Sequence, residues 1–447
     1  MGTGGPTIVG MMRIRLSAAL ATAACVLLAA FGSADAGAAG ARSASGAQLG
    51  GVNILSLIPG ASMAEADTAI SSARALHAKV VRTDLPWSAF EPQAAQTMSA
   101  PALAFADHVI DDAASAGLRV IITVDSTPCW DSTAPPALLR KCKPGSFTAA
   151  NSWPPKNPSD YAAFVAFLAR RYGSKLAAIE VWNEPDQSNE KYFAGPNKPA
   201  RYAAILRAAY PAIKQADPQL TVLGGSLVGS NGSFLKALYA AGIKGFYDGL
   251  SVHFYNLTLA SLRAIHEVQL AAGDNTPLWL DEFGWTSCWP HRIEQEQGCV
   301  TTQTQASNLA NAFRSFAQAP YLAAAVVYKL QDSRSEDFGV LSTTGTRKPS
   351  FKALAQVLKS SRGPITPVTL RLARDGSRVR ASGSGPVGDF MQLEAFQGTV
   401  LRYRALFTLN RFNDFSITLP AALGTSGLRV RVYQYWAGVG KAAQKSI

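Results

Sequence analysis

Short apolar runs alternate with amphipathic segments along the first three quarters of the chain. Eight apolar runs have the length and composition of buried strands: 52–57, 80–84, 119–124, 178–183, 220–225, 250–254, 278–282 and 323–330. The segments that follow them show helical spacing of apolar residues: 64–77, 101–116, 160–172, 199–215, 232–241, 259–272, 303–317 and 350–360.

This order of elements is typical of an α/β protein. Near-continuous apolar strands separated by helices indicate a parallel sheet that is covered on both faces. Eight such units predict closure into a (β/α)8 TIM barrel. An open, doubly wound sheet is the alternative, but no Gly-x-Gly-x-x-Gly segment follows the first strand.

The pattern changes after Gly363-Pro364. Six strand-like runs follow, separated by turn residues and without a helical period: 368–372, 378–382, 390–395, 399–407, 415–419 and 428–435. They predict a small C-terminal antiparallel β-sandwich, so that the barrel occupies 49–362 and the sandwich 363–447. Carbohydrate binding and buttressing of the barrel are both open as its role, and buttressing is favoured.

The N-terminus is typical of an export signal. Arg13 and Arg15 form a positive segment, 16–31 is an apolar run that is short for a membrane span, and Ala34-Asp35-Ala36 is a small-residue cleavage site. We therefore expect a signal peptide over 1–36 and a flexible linker over 37–48. An uncleaved anchor is the alternative. Export would make the protein secreted or cell-wall-associated, with no stable membrane span after cleavage.

Removal of the signal leaves four cysteines in an oxidising compartment, and four cysteines allow three disulfide connectivities. The local connectivity pairs Cys129 with Cys142 and Cys288 with Cys299, which closes a short loop after each of two predicted strands. Each closure would contribute about 3 kcal/mol in the chain-entropy model. A zinc site is the alternative, but no Cys-x-x-Cys pair or His cluster supports it.

Composition fits a large globular protein that does not bind nucleic acid. The chain has 447 residues, of which 48% are hydrophobic and 16% charged, so it can bury a large core. The net charge of +12 comes from Lys and Arg dispersed along the chain, without a basic run. A basic surface suits an acidic polysaccharide or a wall polymer. Nothing in the sequence indicates the oligomeric state.

Two glutamates lie at the ends of the fourth and seventh predicted strands. Glu184 lies in Trp182-Asn183-Glu184-Pro185 and Glu282 in Asp281-Glu282-Phe283-Gly284-Trp285. A barrel brings the C-terminal ends of its strands to one face, where catalytic residues lie. A retaining glycosidase needs two carboxyl groups there, about 5 to 5.5 Å apart, one protonated and one ionised.

We therefore predict that Glu184 is the general acid/base and Glu282 the nucleophile. Asn183 would contact the sugar 2-hydroxyl. Strict alternation along a strand would turn Asn183 away from the site if Glu184 faces it, so the strand must end or bulge here.

These segments resemble the acid/base and nucleophile motifs of clan A glycoside hydrolases, particularly family 39 and the cellulase-like family 5. The segment around Arg82 is similar to the clan's second-strand segment, whose arginine supports the nucleophile. The segment from His253 to Tyr255 is similar to the sixth-strand His-x-Tyr that orients it. The segment around Lys329 resembles the eighth-strand region of family 39-like enzymes that act on bacterial exopolysaccharides. The resemblance implies a barrel, a retaining mechanism and no cofactor.

Charge and ring chemistry suggest how further residues contribute. Arg82 would keep Glu282 ionised by its opposite charge, and a hydrogen bond from Tyr255 would favour the same state. Tryptophans in the loops would supply flat faces for sugar rings. Structural roles are the alternatives: an ion pair for Arg82, a core histidine for His253, and packing beside the disulfides for Trp130. The expected substrate-binding set is Arg82, Asn183, His253, Tyr255, Trp285, Trp87, Trp130 and Lys329.

The sequence thus predicts a secreted retaining glycoside hydrolase that cleaves β-glycosidic bonds in a polysaccharide or oligosaccharide by double displacement. The alternatives are a transglycosylase that uses the same intermediate and a non-catalytic polysaccharide-binding protein on a barrel scaffold. No spacing of acidic residues matches a metal site, so neither a metal nor a cofactor is predicted. The sugar and the linkage depend on loops 126–158 and 286–303, whose shape no periodicity fixes.

Overall fold

Eight parallel strands close into a barrel in chain order, which confirms the predicted fold class. The computed structural model describes residues 49–54, 61–229, 231–255, 259–288, 299–316, 319, 321–360, 368–385, 390–408, 414–434 and 442–447. The barrel strands are β1 (Leu49–Asn53), β2 (Val80–Pro86), β3 (Arg119–Asp125), β4 (Leu176–Val181), β5 (Thr221–Leu227), β6 (Gly249–His253), β7 (Leu278–Phe283) and β8 (Leu322–Val327).

Helices surround the barrel where the apolar spacing predicts them, with two four-residue helices, α2 and α4, added in the loops. They are α1 (Met63–Ala75), α2 (Trp87–Phe90), α3 (Ala100–Ser115), α4 (Pro136–Leu139), α5 (Pro158–Tyr172), α6 (Lys198–Ala216), α7 (Ser233–Ala240), α8 (Leu259–Ala271), α9 (Thr302–Phe316) and α10 (Pro349–Ser360). Among the residues that the structure describes, no helix is both long and apolar enough to cross a membrane. The predicted signal peptide and linker lie outside the described residues.

Strand side chains alternate between the helix-facing core and the barrel lumen. In β4, Ile179 and Val181 pack in the large core under the helices, whereas Ala178 belongs to a separate apolar cluster that includes Trp279 of β7. The indole of Trp279 lies so close to β6 that a Cβ at Gly249 would be 2.6 Å from its ring nitrogen. A glycine at this position therefore lets one large ring fill the lumen.

The C-terminal region forms two antiparallel sheets, as the change in pattern predicts. Its strands are β9 (Arg371–Asp375), β10 (Arg378–Ser384), β11 (Phe390–Gln397), β12 (Val400–Thr408), β13 (Asp414–Thr418), β14 (Leu428–Gln434) and β15 (Ala443–Ser446). The sheet orders are β13-β10-β9 and β12-β11-β14-β15. Ala381 of one sheet and Leu393 of the other belong to one buried apolar cluster, so the sheets form a sandwich. The edge strand β15 was not predicted.

One buried carboxylate joins the sandwich to the barrel. Asp248 lies just before β6, at the N-terminal end of the barrel strands, and is hydrogen-bonded to Arg404 of β12. Lys214 of α6 approaches the same carboxylate to 2.9 Å. Burial alone would raise the pKa of Asp248, but the two cations outweigh it and lower the pKa to about 2. These contacts tie the sandwich to the end of the barrel opposite the two glutamates.

We expect Asp248→Asn to destabilise the protein by about 3 kcal/mol at pH 7, because it removes the carboxylate between two partly buried cations and leaves Arg404 with Glu394 alone. The folded-state pKa lies below the ordinary value, so this contribution is present at neutral pH. It is lost as the pH falls from about 4 to about 2. Denaturant unfolding of both proteins between pH 7 and pH 3 measures it.

Asp375→Asn is the matched control, because Asp375 forms an exposed ion pair with Arg380 within the sandwich. It should change the free energy of unfolding by less than about 1 kcal/mol. Equal effects of the two substitutions would show that Asp248 does not hold the domains together.

Candidate active site

Both glutamates lie at the C-terminal end of the barrel and are almost completely buried. Glu282 belongs to β7, and Glu184 follows β4 by three residues. They are 7% and 6% exposed, respectively. The barrel geometry therefore brings together two carboxyl groups that are distant in sequence, as the two motifs predict.

The chain leaves its strand conformation just before Glu184. The strand ends at Val181 rather than at Asn183, and Trp182 and Glu184 have φ angles of 72° and 42°. Left-handed backbone is costly for non-glycine residues and is concentrated at functional sites. Because the strand alternation ends here, Asn183 and Glu184 can both reach the site. The sequence predicts such an end or bulge of the strand.

The side chain of Trp182 fixes this irregular backbone. Its ring is fully buried and packs edge-on against Phe193, with 5.3 Å between the ring centroids. Its indole nitrogen donates a hydrogen bond to the carbonyl oxygen of Tyr192 at 2.9 Å. A large buried ring thus offsets the cost of the left-handed residue.

Arg82 is the centre of the hydrogen-bond network below the glutamates. Its side chain is 1% exposed and donates to Glu282 at 2.6 Å, to Glu180 at 3.0 Å, to Asn53 at 3.0 Å and to Asn183 at 3.0 Å. All three nitrogens of the planar guanidinium group have partners, so its orientation is fixed.

Several carboxylates stabilise the positive charge of Arg82. Burial alone would lower its pKa, but the surrounding acids, with Glu180 and Glu282 first among them, outweigh burial and raise the pKa well above its usual value. The guanidinium group therefore presents a permanent positive charge to Glu282.

Tyr255 binds the other oxygen of Glu282. Its hydroxyl donates a hydrogen bond to Oε2 at 2.6 Å. Burial and the Glu282 charge raise the pKa of Tyr255 well above its usual value, so the hydroxyl remains a donor. The ring is held edge-on by Tyr328 and Phe338, with centroid distances of 5.8 and 5.2 Å.

His253 bridges the two glutamates rather than orienting Glu282 alone. Its Nδ1 lies 2.8 Å from Oε1 of Glu184 and 3.4 Å from Oε2 of Glu282. Its Nε2 lies 2.9 Å from the hydroxyl of Ser226. Burial alone would lower the pKa of His253, but the charge of Glu282 and the hydrogen bond to Glu184 outweigh it and raise the pKa.

The site contains residues that could in principle hold a cation. One oxygen of Glu184, one of Glu282 and Nδ1 of His253 lie within 4.8 Å of one another. The imidazole is already hydrogen-bonded on both nitrogens, and Arg82 places a fixed positive charge beside Glu282. This arrangement suits proton transfer between carboxyl groups better than a divalent cation.

Comparison of the sequence with protein families identifies the chain. The model of the cellulase family, glycosyl hydrolase family 5, matches residues 42–319, which is more than half of the chain. The chain belongs to glycosyl hydrolase family 5. No curated protein sequence matches it.

Solved structures of family 39 glycoside hydrolases share the fold of this family 5 member. An enzyme from Bacteroides cellulosilyticus WH2 has 18% identity and a TM-score of 0.52, with 84% of this chain and 80% of that one covered. An enzyme from Xanthomonas axonopodis pv. citri has 15% identity and a TM-score of 0.52, with 89% and 94% covered. A β-xylosidase from Caulobacter crescentus has 18% identity and a TM-score of 0.51, with 79% and 84% covered. These structures support the fold, and the match to the family 5 model confirms the clan that the motifs resemble and makes the chain a glycosidase.

One tryptophan that we expected to bind sugar in this family 5 member is not available to do so. Trp87 is fully buried in α2, where it packs against Trp130, Tyr161 and Phe164. It therefore has no free face for a sugar ring. The sequence places Trp87 in a loop after β2, but the loop turns into a short helix that inserts the ring into the core.

The other two expected tryptophans and Lys329 remain at the periphery of the site. Trp285 and Trp130 are half-buried, and Trp130 donates a hydrogen bond to the carbonyl oxygen of Glu91 at 2.8 Å. Lys329, which follows β8, forms an ion pair with Glu336 at 2.5 Å. Sugar contacts by these three residues stay predictions.

Two disulfides link residues of the loops that follow β3 and β7. Cys129 is bonded to Cys142 and Cys288 to Cys299, which is the local connectivity among the three possible ones. Each closes a loop at the catalytic end of the barrel and so limits its freedom in the unfolded chain.

Sequence reasoning missed the buried acids below the site. Glu180 and Asp281 are both 0% exposed and face the lumen from β4 and β7. The signal was present, because Glu180 interrupts an otherwise apolar strand and a charged residue is rarely buried without a partner. Ser226 and Asn53 were also missed, since single polar residues at strand ends carry no pattern.

We expect the effect of Asp125→Asn on the free energy of unfolding to be more favourable at pH 8 than at pH 5. The difference between the two pH values should be about 2–3 kcal/mol. Burial, with a further contribution from the charge of Asp84, raises the pKa of Asp125 to about 7. The folded protein thus holds a proton between about pH 4 and pH 7 that the unfolded chain releases. Wild-type stability therefore falls as the pH rises through this window, and the amide removes that loss.

Urea unfolding at the two pH values measures the difference. Asp111→Asn, at an exposed residue of α3, is the control and should change stability equally at both. A pH-independent effect of Asp125→Asn would show that Asp125 is already ionised at pH 5.

Proposed function

We propose that the protein is a retaining β-glycosidase in which Glu282 is the nucleophile and Glu184 the general acid/base. The observation that carries this proposal is the separation of the two carboxyl groups, which have oxygens within 4.8 Å of each other. Retaining enzymes have carboxyl groups about 5 to 5.5 Å apart, whereas inverting enzymes need about 6.5–9.5 Å to fit a water between carboxylate and sugar.

The surroundings of the two glutamates support different roles. Glu282 accepts hydrogen bonds from Arg82 on one oxygen and from Tyr255 on the other, which favours a carboxylate held in one orientation. Glu184 is hydrogen-bonded to His253 at 2.8 Å and to Gln187 at 2.5 Å. It has no contact with Arg82 among those described, and this difference in partners supports the role of general acid/base for Glu184.

The reaction follows from this arrangement as two displacements. The carboxylate of Glu282 attacks the anomeric carbon, the glycosidic C–O bond breaks, and Glu184 gives its proton to the departing oxygen. Glu184, now ionised, takes a proton from a water molecule whose oxygen attacks the same carbon. The bond to Glu282 breaks, and the sugar leaves with its original anomeric configuration.

Asn183 is placed to stabilise the transition state. Its Oδ1 accepts hydrogen bonds from Arg82 at 3.0 Å and from Ser226 at 3.3 Å, which fixes the orientation of the amide. The Nδ2 hydrogens are then directed away from these donors. We assign them to the sugar 2-hydroxyl, where a hydrogen bond strengthens as the oxocarbenium-like transition state forms.

The substrate class and compartment belong to the same proposal. The family is named for cellulase, and one structural neighbour is a β-xylosidase, so β-linked glucans and xylans are the first substrates to test. The N-terminal export pattern and two disulfides, which are compatible with an extracellular protein, support secretion. We propose a signal peptide over 1–36, a linker over 37–48, a barrel domain over 49–362 and a sandwich domain over 363–447.

We expect Glu282→Gln to reduce turnover at least about a thousandfold on every substrate, because no nucleophile remains. Glu184→Ala should lose about 10²–10⁴-fold on substrates with poor leaving groups and less on activated aryl β-glycosides, which need no proton. Rates on aryl β-glucosides and β-xylosides, on β-glucan and on xylan measure these losses. Proton NMR of the first product shows whether the configuration is retained.

Glu267→Gln is the matched control, since Glu267 is exposed on α8. It should leave all rates unchanged. Azide should restore the activity of Glu184→Ala by forming the β-glycosyl azide. Turnover of Glu282→Gln at the wild-type rate, or a first product of inverted configuration, would refute the proposal.

A further inference from the structure

Two acids that the proposed reaction does not use meet in the barrel lumen below the nucleophile. Glu180 of β4 and Asp281 of β7 are both 0% exposed, and a carboxyl oxygen of one lies within 4.8 Å of a carboxyl oxygen of the other. Ala178 and Trp279 precede them by two residues on the same strands and belong to the apolar cluster inside the barrel. The two acids therefore face the lumen next to this cluster, on its C-terminal side. Two carboxyl groups in contact, shielded from water, cannot both be ionised without a large cost.

The hydrogen bonds around the pair require a proton between the two acids. Oε2 of Glu180 accepts from Arg82 at 3.0 Å and from Thr123 at 2.7 Å. Both oxygens of Asp281 and Oε1 of Glu180, however, have no donor among the described residues. Arg82 and His253 approach Asp281 only to 3.5 Å. One proton on Asp281 pairs two of these three oxygens, because the oxygen that carries it becomes a donor and an oxygen of Glu180 accepts.

Electrostatics places that proton on Asp281. Burial, followed by the charge of Glu180 and the hydrogen bond to it, raises the pKa of Asp281 well above its usual value. Burial alone would raise the pKa of Glu180 too, but the charge of Arg82 outweighs it and lowers the pKa. The two acids therefore titrate as one system.

We propose that Glu180 and Asp281 share one proton and act as a single monoanionic pair that positions Arg82 against Glu282. This rests on the proposed role of Glu282 as the nucleophile. The pair binds one edge of the guanidinium group, and Asn53 and Glu282 bind NH1 on the other side. Its single negative charge balances Arg82, so that Arg82 orients Glu282 without becoming its tight, exclusive ion-pair partner.

Charged and polar groups from several strands face this pair. They are Arg82 of β2, Thr123 and Asp125 of β3, Ser251 and His253 of β6, and Glu282 of β7, with Asp84 of β2 on the far side of Arg82. Besides the pair, the ionisable carboxyl and imidazole groups among them are Glu282, Asp84, Asp125 and His253. A substitution that alters the charge of the pair must therefore appear in the ionisation of Glu282.

Amide substitutions test whether the pair carries one charge. The acid limb of the kcat/KM profile reports the ionisation of the nucleophile in the free enzyme. In Asp281→Asn the charge stays on Glu180, and in Glu180→Gln it moves to Asp281, so both acid limbs should stay within about 0.3 pH units of the wild type. The double variant has no negative charge at this place. The acid limb of its kcat/KM profile should therefore move to lower pH by about one unit or more.

Asp281→Leu, which has a similar volume but no donor, separates positioning from packing. It should lower kcat about tenfold relative to Asp281→Asn, because an oxygen of Glu180 loses its donor. A limb that falls by more than about 0.3 pH units in either single amide variant would overturn the proposal, because the remaining acid would then have failed to carry the single charge of the pair.

Infrared spectroscopy tests the shared proton without any substrate. In Glu184→Gln, which removes the proton of the acid/base, a carboxylic-acid C=O band should persist at pH 9, above the pH at which Asp125 titrates. Adding Asp281→Asn should abolish it. Absence of the band at pH 9 would refute the shared proton even if Glu282 is the nucleophile. Conversely, an active Glu282→Gln enzyme would refute the proposed function while leaving this band in place.

Discussion

A buried guanidinium group is the constraint on which the rest of the site depends. Arg82 lies in the lumen at 1% exposure, where an unbalanced charge would cost several kcal/mol. It is therefore surrounded by acids from two other strands, Glu180 of β4 and Glu282 of β7. The same ion pairs that make its burial tolerable also orient the carboxylate that carries the proposed chemistry.

The two glutamates acquire different properties because the backbone presents them differently. Glu282 remains within a strand, where Arg82 and Tyr255 bind its two oxygens. Glu184 lies beyond the end of its strand, on a left-handed residue, and contacts His253. The strained segment is stabilised by the buried ring of Trp182, so that packing in the core offsets a conformation that the site requires.

The sandwich domain is attached at the other end of the barrel. Arg404 of the sandwich forms an ion pair with Asp248, which precedes β6 at the N-terminal end of the barrel strands. Glu184 follows β4 and Glu282 lies within β7, at the C-terminal end. Contacts at that end lie away from the two glutamates, which favours buttressing of the barrel over direct contact with a sugar bound at the glutamates. The contact between the two domains thus lies at one end of the barrel, and the two glutamates lie at the other.

The sequence by itself determined the barrel, its eight strands and the two glutamates, because strand and helix periods and strand-end motifs are local. It also located Arg82, His253 and Tyr255 through their resemblance to a known clan. Only the tertiary structure decided that Trp87 is buried, that His253 contacts Glu184, and that Glu180 meets Asp281. Such contacts join residues about 70 to 100 positions apart across a closed lumen. No periodicity along the chain encodes which lumen-facing side chains meet there, because barrel closure and strand stagger set those distances.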